Sequence, residues 1–344
     1  MKVMFWAKSP CIRTYKEAKA LRSRGLETVL GYTGKTIGDR YPGLDASHAF
    51  DEIVKAGTIN PFHFVDDNKI DVIHTAHPPD DSVRLLRGCG VPIVHDFHDM
   101  YSLETDDPEL RRHEADAVAY ADGVVYVSNT MKEYSVSMYP SRVPVDRVVA
   151  NAADDIQFER LPRPWPEDEI HVVYVAALPR WDEGHFRDLR QLVEMLTAQR
   201  IHLHVHAIIR KPDLVDAARE NPFLHLEETA TGSRMASLLT RYDAGIWHQW
   251  VFGSTVGDRR TRVLLDLCSP NKIYEYWQAG IPVLCYKARD IAKIVSRYKL
   301  GQVVKNYRNV RPLLERPYCP TREPITMMEE AAKLVSLYEE VLGL

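Results

Sequence analysis

The 344-residue sequence lacks several features that would define a class of protein. Its five cysteines stand singly, at positions 11, 89, 268, 285 and 319, and no C-x-x-C pair occurs. The odd number and the wide spacing argue against a disulfide framework and against a zinc site. They are typical of a reducing compartment, so we expect a cytoplasmic protein.

Long apolar runs are also missing. No stretch of about 18 apolar residues occurs, so nothing in the sequence predicts a membrane-spanning helix. The opening "MKVMFWAKSP" is too short and too soon interrupted for a signal peptide. A peripheral contact with the inner face of a membrane stays open.

An excess of charge of one sign is absent as well. The chain has 44 Lys and Arg residues against 48 Asp and Glu, a net charge of -4, which does not favour a nucleic-acid binder. The sequence contains no Walker P-loop, no G-x-G-x-x-G and no G-x-S-x-G, the last of which argues against a serine hydrolase. Apolar residues make up 45% of the chain, so a sizeable core can form, and the length suggests about two domains.

The pattern that is present is an alternation of short apolar runs and amphipathic segments. "KVMFWA" and "ETVLGY" predict strands on either side of a helix within residues 14–25, and the alternation continues to "DRVVAN". A second series runs from "IHVVYVAAL" through "AGIWHQ" to "QVVKN". Such alternation predicts parallel sheets with helices on both faces.

A break separates the two series. Residues 161–169, "LPRPWPEDE", hold three prolines and are the best linker candidate. The predicted fold class is therefore α/β, with two doubly wound, Rossmann-like parallel-sheet domains facing a cleft. We predict an N-terminal domain over 1–162, a C-terminal domain over 163–322, and a closing helix over 323–344 that returns to the N-terminal domain. Ligands of such sheets bind outside the carboxyl ends of the strands.

The densest signal is "SPNKIYEYWQAGIPVLCY", residues 269–286. Ser269 can cap a helix, and Pro270 suits the first helical position, where its missing N–H costs nothing. The helix start offers N–H groups and a partial positive charge, which attract phosphate. Lys272 adds a full charge, and Glu275 lies one turn further on the same side, where a carboxylate can accept the hydroxyl protons of a ribose. A plain capped helix packed on a sheet has the same pattern.

The same stretch resembles the donor-site signature P-x-K-x-x-E-Y-x-A-x-G-x-P-V of GT-B glycosyltransferases of the GT4 type. Weaker matches follow in the family's order. "SPCIRTYKEAKALRSRGLETVL" resembles the first loop and helix, "VPIVHDFHDMYSL" the fourth-strand region with its His-Asp pair, and "YADGVVYVSNTMKEY" a later strand. The resemblance covers nearly the whole chain, and its most specific part is residues 269–283.

The resemblance implies a hexosyltransferase-type enzyme of polysaccharide or glycoconjugate biosynthesis. The C-terminal domain would bind a nucleotide-diphosphate sugar, and the N-terminal domain would bind a glycan, lipid-linked or small-molecule acceptor. Enzymes of this type retain the anomeric configuration, and they need neither a divalent metal nor another cofactor.

The resemblance also implies roles for particular residues. The predicted donor site consists of Ser269, Asn271, Lys272, Glu275 and Arg180. Within it, Lys272 and Arg180 would neutralise the leaving diphosphate, and Glu275 would bind the ribose hydroxyls. The predicted catalytic residues are His98, near the transferring sugar, together with Arg180 and Lys272. The predicted acceptor-side residues are Ser9 and Arg13.

Three departures from the family pattern weaken the prediction. The family's E-x7-E would need a carboxylate at position 267, which is Leu267, with Asp266 beside it. After Arg180 the family has a lysine before a glycine, whereas this sequence has Glu183. The glycine-rich first loop is replaced by "SPCIR", residues 9–13. Two alternatives therefore stay open: a non-catalytic binding or scaffolding subunit, and an enzyme acting on the nucleotide sugar itself, such as a 2-epimerase.

Two further clusters favour ordinary structure over a site. His202, His204 and His206 alternate on one strand and share a face, a pattern that can bind a metal but more often forms a polar strand face. The basic cluster "GDRRTR", residues 257–262, lies near the donor motif, and its sequence favours a solvated loop over a role in phosphate binding.

Overall fold

A computed structural model of the chain describes residues 1–76, 81–105, 107–139, 145–181, 187–248, 259–286, 288–316, 318 and 320–344. The chain divides into two compact units. The N-terminal unit consists of Met1–Asp155 together with Ile325–Leu344, and the C-terminal unit consists of Ile156–Pro324. The predicted boundaries were residues 162 and 322.

The described part of the N-terminal unit contains a seven-stranded parallel sheet with the order β3-β2-β1-β4-β5-β6-β7. Its strands are β1 Lys2–Ala7, β2 Glu27–Tyr32, β3 Glu52–Lys55, β4 Val72–Ala76, β5 Ile93–Phe97, β6 Gly123–Tyr126 and β7 Val145–Val148. Its helices up to this point are α1 Ile12–Ser23, α2 Ile37–Arg40, α3 Pro61–Asp67, α4 Asp81–Leu86, α5 Tyr101–Glu104, α6 Pro108–Tyr120 and α7 Asn129–Met138. Short 3-10 turns occur at Ala46–His48 and Ala56–Thr58.

The described part of the C-terminal unit contains a six-stranded parallel sheet with the order β10-β9-β8-β11-β12-β13. Its strands are β8 Ile170–Ala176, β9 Ile201–Ala207, β10 Leu224–Glu227, β11 Ala244–Trp247, β12 Val283–Tyr286 and β13 Gly301–Val304. Its helices are α8 Arg190–Thr197, α9 Pro212–Glu220, α10 Gly232–Leu239, α11 Arg259–Leu267, α12 Asn271–Ala279, α13 Arg289–Tyr298 and α14 Arg311–Leu314.

Both sheets reverse their strand order next to their first strand. In the N-terminal unit β1 pairs with β2 on one side and β4 on the other, and in the C-terminal unit β8 pairs with β9 and β11. The predicted class, two doubly wound parallel sheets, is confirmed. Because ligands of such sheets bind at the carboxyl edge where the order reverses, each unit has one defined place for a site.

The last helix, α15 Met327–Leu342, belongs to the N-terminal unit. It begins at a capping box made by Thr326 and Glu329, which satisfies two backbone N–H groups reciprocally. Its apolar stripe, including Leu334 and Leu337, is fully buried in the core formed with α1, β1 and β4. A Cβ at Gly123 of β6 would lie 3.1 Å from Leu337, so glycine allows the helix to approach the sheet closely.

The core of the C-terminal unit packs against that unit's own six-stranded sheet. Val172, Leu203 and Ile246, from three neighbouring strands, are at most 1% exposed. Across the described ranges, no helix combines the length and the apolar content that crossing a bilayer requires.

Candidate functional site

The helix α12 begins at the carboxyl edge of the C-terminal sheet, as the motif predicted, but one residue later than expected. Pro270 occupies the N-cap position, with the extended backbone angle ψ 145, and Asn271 is the first helical residue. Ser269 therefore precedes the N-cap and does not occupy it. Because proline has no side-chain acceptor, the helix start lacks the usual cap, and its N–H groups suit an anion. Gly280 ends the helix with φ +75, as predicted.

Lys272 projects from the first turn of α12 onto the end of β8. Its amino group lies 4.2 Å from the ring centroid of Tyr174, in a cation–π contact. Burial lowers the pKa of Lys272 to about 8, while the Glu275 carboxylate acts in the opposite direction and Arg187 in the same direction. The structure therefore brings Lys272 and Glu275 together beside a second cation. A phosphate group there would compensate the positive charge of the two cations.

Arg187 is the cation that the sequence analysis missed. The backbone N–H of Arg180 donates to the Arg187 carbonyl at 3.1 Å, and Arg180 forms an isolated parallel bridge with Asp188. This bridge holds the Arg180 and Arg187 backbones side by side after β8. Arg187, four positions after Glu183, supplies a positive charge near the place where the family pattern has its lysine. Glu183 lies outside the described residues.

His248, directly after β11, is a second residue without a sequence signal for function. Its side chain is buried, and burial lowers the pKa of His248 to about 4, so the imidazole is neutral near pH 7. The Tyr174 hydroxyl donates to the His248 carbonyl at 3.2 Å. The two strands that flank the reversal of strand order therefore both contribute residues beside Lys272.

Asp266 does not replace the missing first glutamate of E-x7-E. Its Oδ1 accepts the backbone N–H of Arg289 at 2.9 Å, so this carboxylate serves the start of α13. Leu267 is 2% exposed and belongs to the core. The prediction of a loop for the basic cluster was wrong within the described residues, because Arg259 and Arg260 open the helix α11. Residues 257 and 258 of that cluster lie outside the described residues.

In the N-terminal unit, His98 lies just beyond the carboxyl end of β5. Its Nδ1 lies 3.0 Å from Asp96 Oδ2, and its Nε2 lies 3.8 Å from the Sγ of Cys11. Burial opposes a charge on the ring, but Asp96 and Cys11 raise the pKa of His98 well above its ordinary value. His98 is thus an imidazolium whose orientation is fixed by Asp96. The neighbouring His95 is fully buried, with Nδ1 2.9 Å from Thr75 Oγ1.

Arg13, which was predicted to lie on the acceptor side, is an interior residue of the N-terminal unit. This side chain is fully buried, and its Nε donates to Asp96 Oδ2 at 2.8 Å. Its Nη2 lies 2.9 Å from Glu17 Oε1, and its Nη1 donates to Asn151. Because the buried Asp96 carboxylate needs a countercharge, the guanidinium is held inside the unit and positions Asp96. Ser9 accepts the backbone N–H of Lys35 through its hydroxyl at 2.8 Å, so it shapes the first loop.

Two groups of described residues have the spacing of metal ligands. One consists of Glu17, His74 and Asp96, where Arg13 already supplies positive charge. The other consists of Glu169, His171 and His202. The prediction that the protein uses no metal is tested by neither group and stays a prediction.

The three histidines of β9 share one face, but this face is covered. His204 and His206 are each 2% exposed. Trp165 from the linker segment stacks on His171 at 4.1 Å and lies 4.7 Å from His204, measured between ring centroids. Parallel sheets are usually buried on both faces, and here imidazoles fill part of the second face.

Comparison with known proteins gives one matching family model and several solved structures with a similar fold. The Glycosyltransferase Family 4 model matches residues 62–155, a segment of the N-terminal unit. No curated protein matches the sequence.

Solved structures share the fold over the whole chain at low sequence identity. A glycosyltransferase from Rickettsia africae ESF-5 has a TM-score of 0.64 at 12% identity, with 99% of this chain and 98% of that chain covered. HepE of Anabaena in complex with UDP-glucose has a TM-score of 0.63 at 14% identity, with 100% and 98% covered. The UDP-GlcNAc 2-epimerase of Methanocaldococcus jannaschii has a TM-score of 0.57 at 8% identity, with 99% and 100% covered. The chain has the GT-B fold, and its resemblance to GT-B glycosyltransferases of the GT4 type is confirmed.

Proposed function

We propose that the protein is a glycosyltransferase that moves a sugar from a nucleotide-diphosphate sugar to an acceptor. The observation that carries the proposal is the start of α12, where Lys272 and Glu275 lie beside Arg187 at the carboxyl edge of the C-terminal sheet. The match to the glycosyltransferase model and the UDP-glucose bound to HepE support it.

The donor's diphosphate binds at the start of α12, near Ser269 and Asn271. The helix N–H groups, Lys272 and the two arginines after β8 supply positive charge, and they stabilise the diphosphate as it leaves. The lowered pKa of Lys272 suits this role, because an arriving phosphate raises it again and fixes the proton on the amine. We propose that these cations neutralise the leaving group without a divalent metal.

Glu275 accepts the hydroxyl protons of the nucleotide's ribose. It lies one turn beyond Lys272, so a nucleotide whose phosphates contact the helix start has its ribose alongside the first turn. A carboxylate is suited to two neighbouring hydroxyl groups because it offers two acceptor oxygens.

We propose that His98 contacts the transferring sugar and its phosphates during the reaction. Its protonated ring, oriented by Asp96, donates a hydrogen bond from Nε2 and stabilises negative charge that develops in the reaction. We propose that transfer retains the anomeric configuration. The acceptor is a glycan, a lipid-linked sugar or a small molecule.

The test is a thermal-shift screen with UDP-, GDP-, ADP- and dTDP-sugars, beginning with UDP-glucose, followed by calorimetry on the nucleotide that stabilises the protein. Stabilisation by one nucleotide sugar, together with release of its nucleotide diphosphate when an acceptor extract is added, is the expected result. If no nucleotide sugar stabilises the chain, the binding or scaffolding function takes its place.

The same donor incubated without an acceptor tests the remaining alternative. The fold shared with the 2-epimerase makes this control necessary. A donor that changes configuration at C2 of its sugar, observed by proton NMR, would identify an epimerase instead. Product anomer and activity in a chelator, measured in the same assay, test retention and metal independence.

A further inference from the structure

Cys11 terminates a row of charged side chains that crosses the interior of the N-terminal unit. Its Sγ lies 3.8 Å from His98 Nε2, and His98 Nδ1 lies 3.0 Å from Asp96. Asp96 in turn accepts from the buried Arg13 at 2.8 Å. A thiol, an imidazole and a carboxylate in this order form the arrangement that activates a cysteine nucleophile. The transfer reaction proposed above has no use for the thiol.

The backbone around Cys11 also favours a thiolate. Cys11 is the N-cap residue of the 12-residue helix α1, so its side chain sits at the positive end of the helix dipole. The Thr14 hydroxyl lies 3.4 Å from Sγ. Burial opposes the charge, but His98 and Thr14 lower the pKa of Cys11 to about 6.

The net positive charge of Arg13, His98 and Asp96 together favours an ionised thiol at Cys11. Arg13 and His98 carry two positive charges, and Asp96 supplies one negative charge. Glu17 is fully buried, and burial raises its pKa to about 8, so its carboxyl group holds a proton near pH 7. Burial also lowers the pKa of His74 to about 4, which leaves that ring neutral. A thiolate at Cys11 supplies a second negative charge beside Arg13 and His98.

Asp99 is another charged group near the pair, as is Arg40, whose Nη1 donates to the Ser9 carbonyl at 2.8 Å. The Asp99 Oδ2 lies 3.9 Å from His98 Nε2, and the Asp99 side chain is 54% exposed. Solvent screens an exposed carboxylate, so it competes weakly with the half-buried sulfur for the ring. The charge on Cys11 does not depend on it.

We propose that Cys11 is a nucleophilic thiolate and a site of covalent modification by electrophiles, with hydroperoxides as the reagent class. The sulfur attacks one peroxide oxygen, an S–O bond forms and the O–O bond breaks. The attacked oxygen is the one that carries the hydrogen, and the departing hydroxide or alkoxide takes the proton from His98 Nε2 and leaves as water or an alcohol. The sulfur is oxidised by two electrons to a sulfenic acid, and the peroxide is reduced.

Other cysteines of the same chain serve as internal references. Cys89 and Cys285 are buried, and burial raises the pKa of the Cys89 thiol and raises the pKa of Cys285 to about 12. Both should stay unreactive under conditions in which Cys11 reacts. The contrast can therefore be measured within one protein sample.

The experiment measures the rate of alkylation by iodoacetamide at each cysteine of the full-length protein, by peptide mass spectrometry, between pH 4.5 and 9.5. The expected rate at Cys11 has its midpoint near pH 6 and at pH 6.5 exceeds that of a free peptide thiol about tenfold, since a low pKa raises the thiolate fraction and partly reduces nucleophilicity. Hydrogen peroxide with dimedone should label Cys11 and leave the Cys11→Ser variant unlabelled at that peptide.

Two variants distinguish the effect of His98 on the Cys11 thiol from the effect of other nearby groups. His98→Asn should move the midpoint up towards the ordinary thiol value of about 8.5, whereas Glu17→Gln should leave it near pH 6 because Glu17 is already protonated. A wild-type midpoint at or above the ordinary value overturns the proposal, and so does an unchanged midpoint in folded His98→Asn. The wild-type profile alone decides the matter if that variant does not fold. None of these readouts requires a nucleotide sugar, so the proposal stands or fails independently of the transferase function.

Discussion

Gly245 of β11 lies directly beneath the ring of Tyr276 in α12. A Cβ at position 245 would come within 2.3 Å of the ring carbons, well inside van der Waals contact. The hydroxyl of the same tyrosine accepts the backbone N–H of Val175 at 3.0 Å. The predicted donor helix is thus seated on the sheet by one aromatic ring that only glycine admits.

Gly245→Ala should therefore destabilise the C-terminal unit. The added methyl group overpacks a closed site, which typically costs about 1–3 kcal/mol. Urea unfolding followed by circular dichroism measures the change. Gly57→Ala is the matched control, because a Cβ at that exposed position meets nothing within 4 Å. If both variants have the same free energy of unfolding, α12 can shift to accommodate the methyl group without a loss of stability.

Glu275→Gln should weaken nucleotide-sugar binding and leave the fold intact. A lost hydrogen bond to a charged group costs about 1.5–3 kcal/mol. Titration calorimetry with the nucleotide sugar found in the screen measures the affinity. Glu220→Gln, at an exposed position at the end of α9, is the control for the loss of a carboxylate. Unchanged affinity in folded Glu275→Gln would refute the ribose role.

Lys272→Ala, Arg180→Ala and Arg187→Ala should each reduce turnover more than stability. Each removes one positive charge from the region where the diphosphate is proposed to leave, and a leaving group held by charge is sensitive to each cation. Steady-state rates alongside melting temperatures separate the two effects. If the Lys272 and Arg180 variants turn over like the wild type, the diphosphate lies elsewhere, with Arg259 and Arg260 as the next candidates.

The buried histidines of the C-terminal sheet should make the protein sensitive to mild acid. Burial lowers the pKa of His171 and of His225 from 6.5 to about 4. Between these values the unfolded chain takes up protons that the folded chain does not, so the free energy of unfolding falls as the pH drops from about 6.5 to about 4. Above that range the two rings contribute no pH dependence.

His171→Phe tests this prediction, because phenylalanine keeps an aromatic ring between Trp165 and His202 without a titrating nitrogen. The difference in melting temperature between pH 7 and pH 5 should become smaller, even if the variant is less stable at both. His48→Gln, at an exposed position, should leave the difference unchanged. A difference equal to that of the wild type would contradict the assignment to His171.

The alternation of strands and helices was predictable because both sheets are parallel and their strands are apolar runs of distinct composition. β2 is the whole of "ETVLGY", and β1 is the whole of "KVMFWA". The edge strands β3 and β10 are four residues long and carry polar residues, so they have no such signal. The helix α11 was missed because its first turn consists of the basic residues that suggested a loop.

The candidate site was predictable only where one short stretch of sequence carries it. Lys272 and Glu275 are three residues apart on one helix, and their proximity follows from helical spacing. Arg187 reaches the same place through a backbone bridge, and Arg13 is held by Asp96, which lies on another strand. Such contacts depend on the tertiary fold, and no local sequence pattern encodes them.

The position of α15 has a consequence for how the protein is made. During synthesis the ribosome completes the entire C-terminal unit before it produces the helix that fills the core of the N-terminal unit. Until then the surface that receives Leu334, Leu337 and Tyr338 has no cover, and exposed apolar surface of this kind favours aggregation. The C-terminal unit is continuous in sequence, so it can fold while the N-terminal unit still lacks α15. The N-terminal half of the gene alone would encode a half-finished domain.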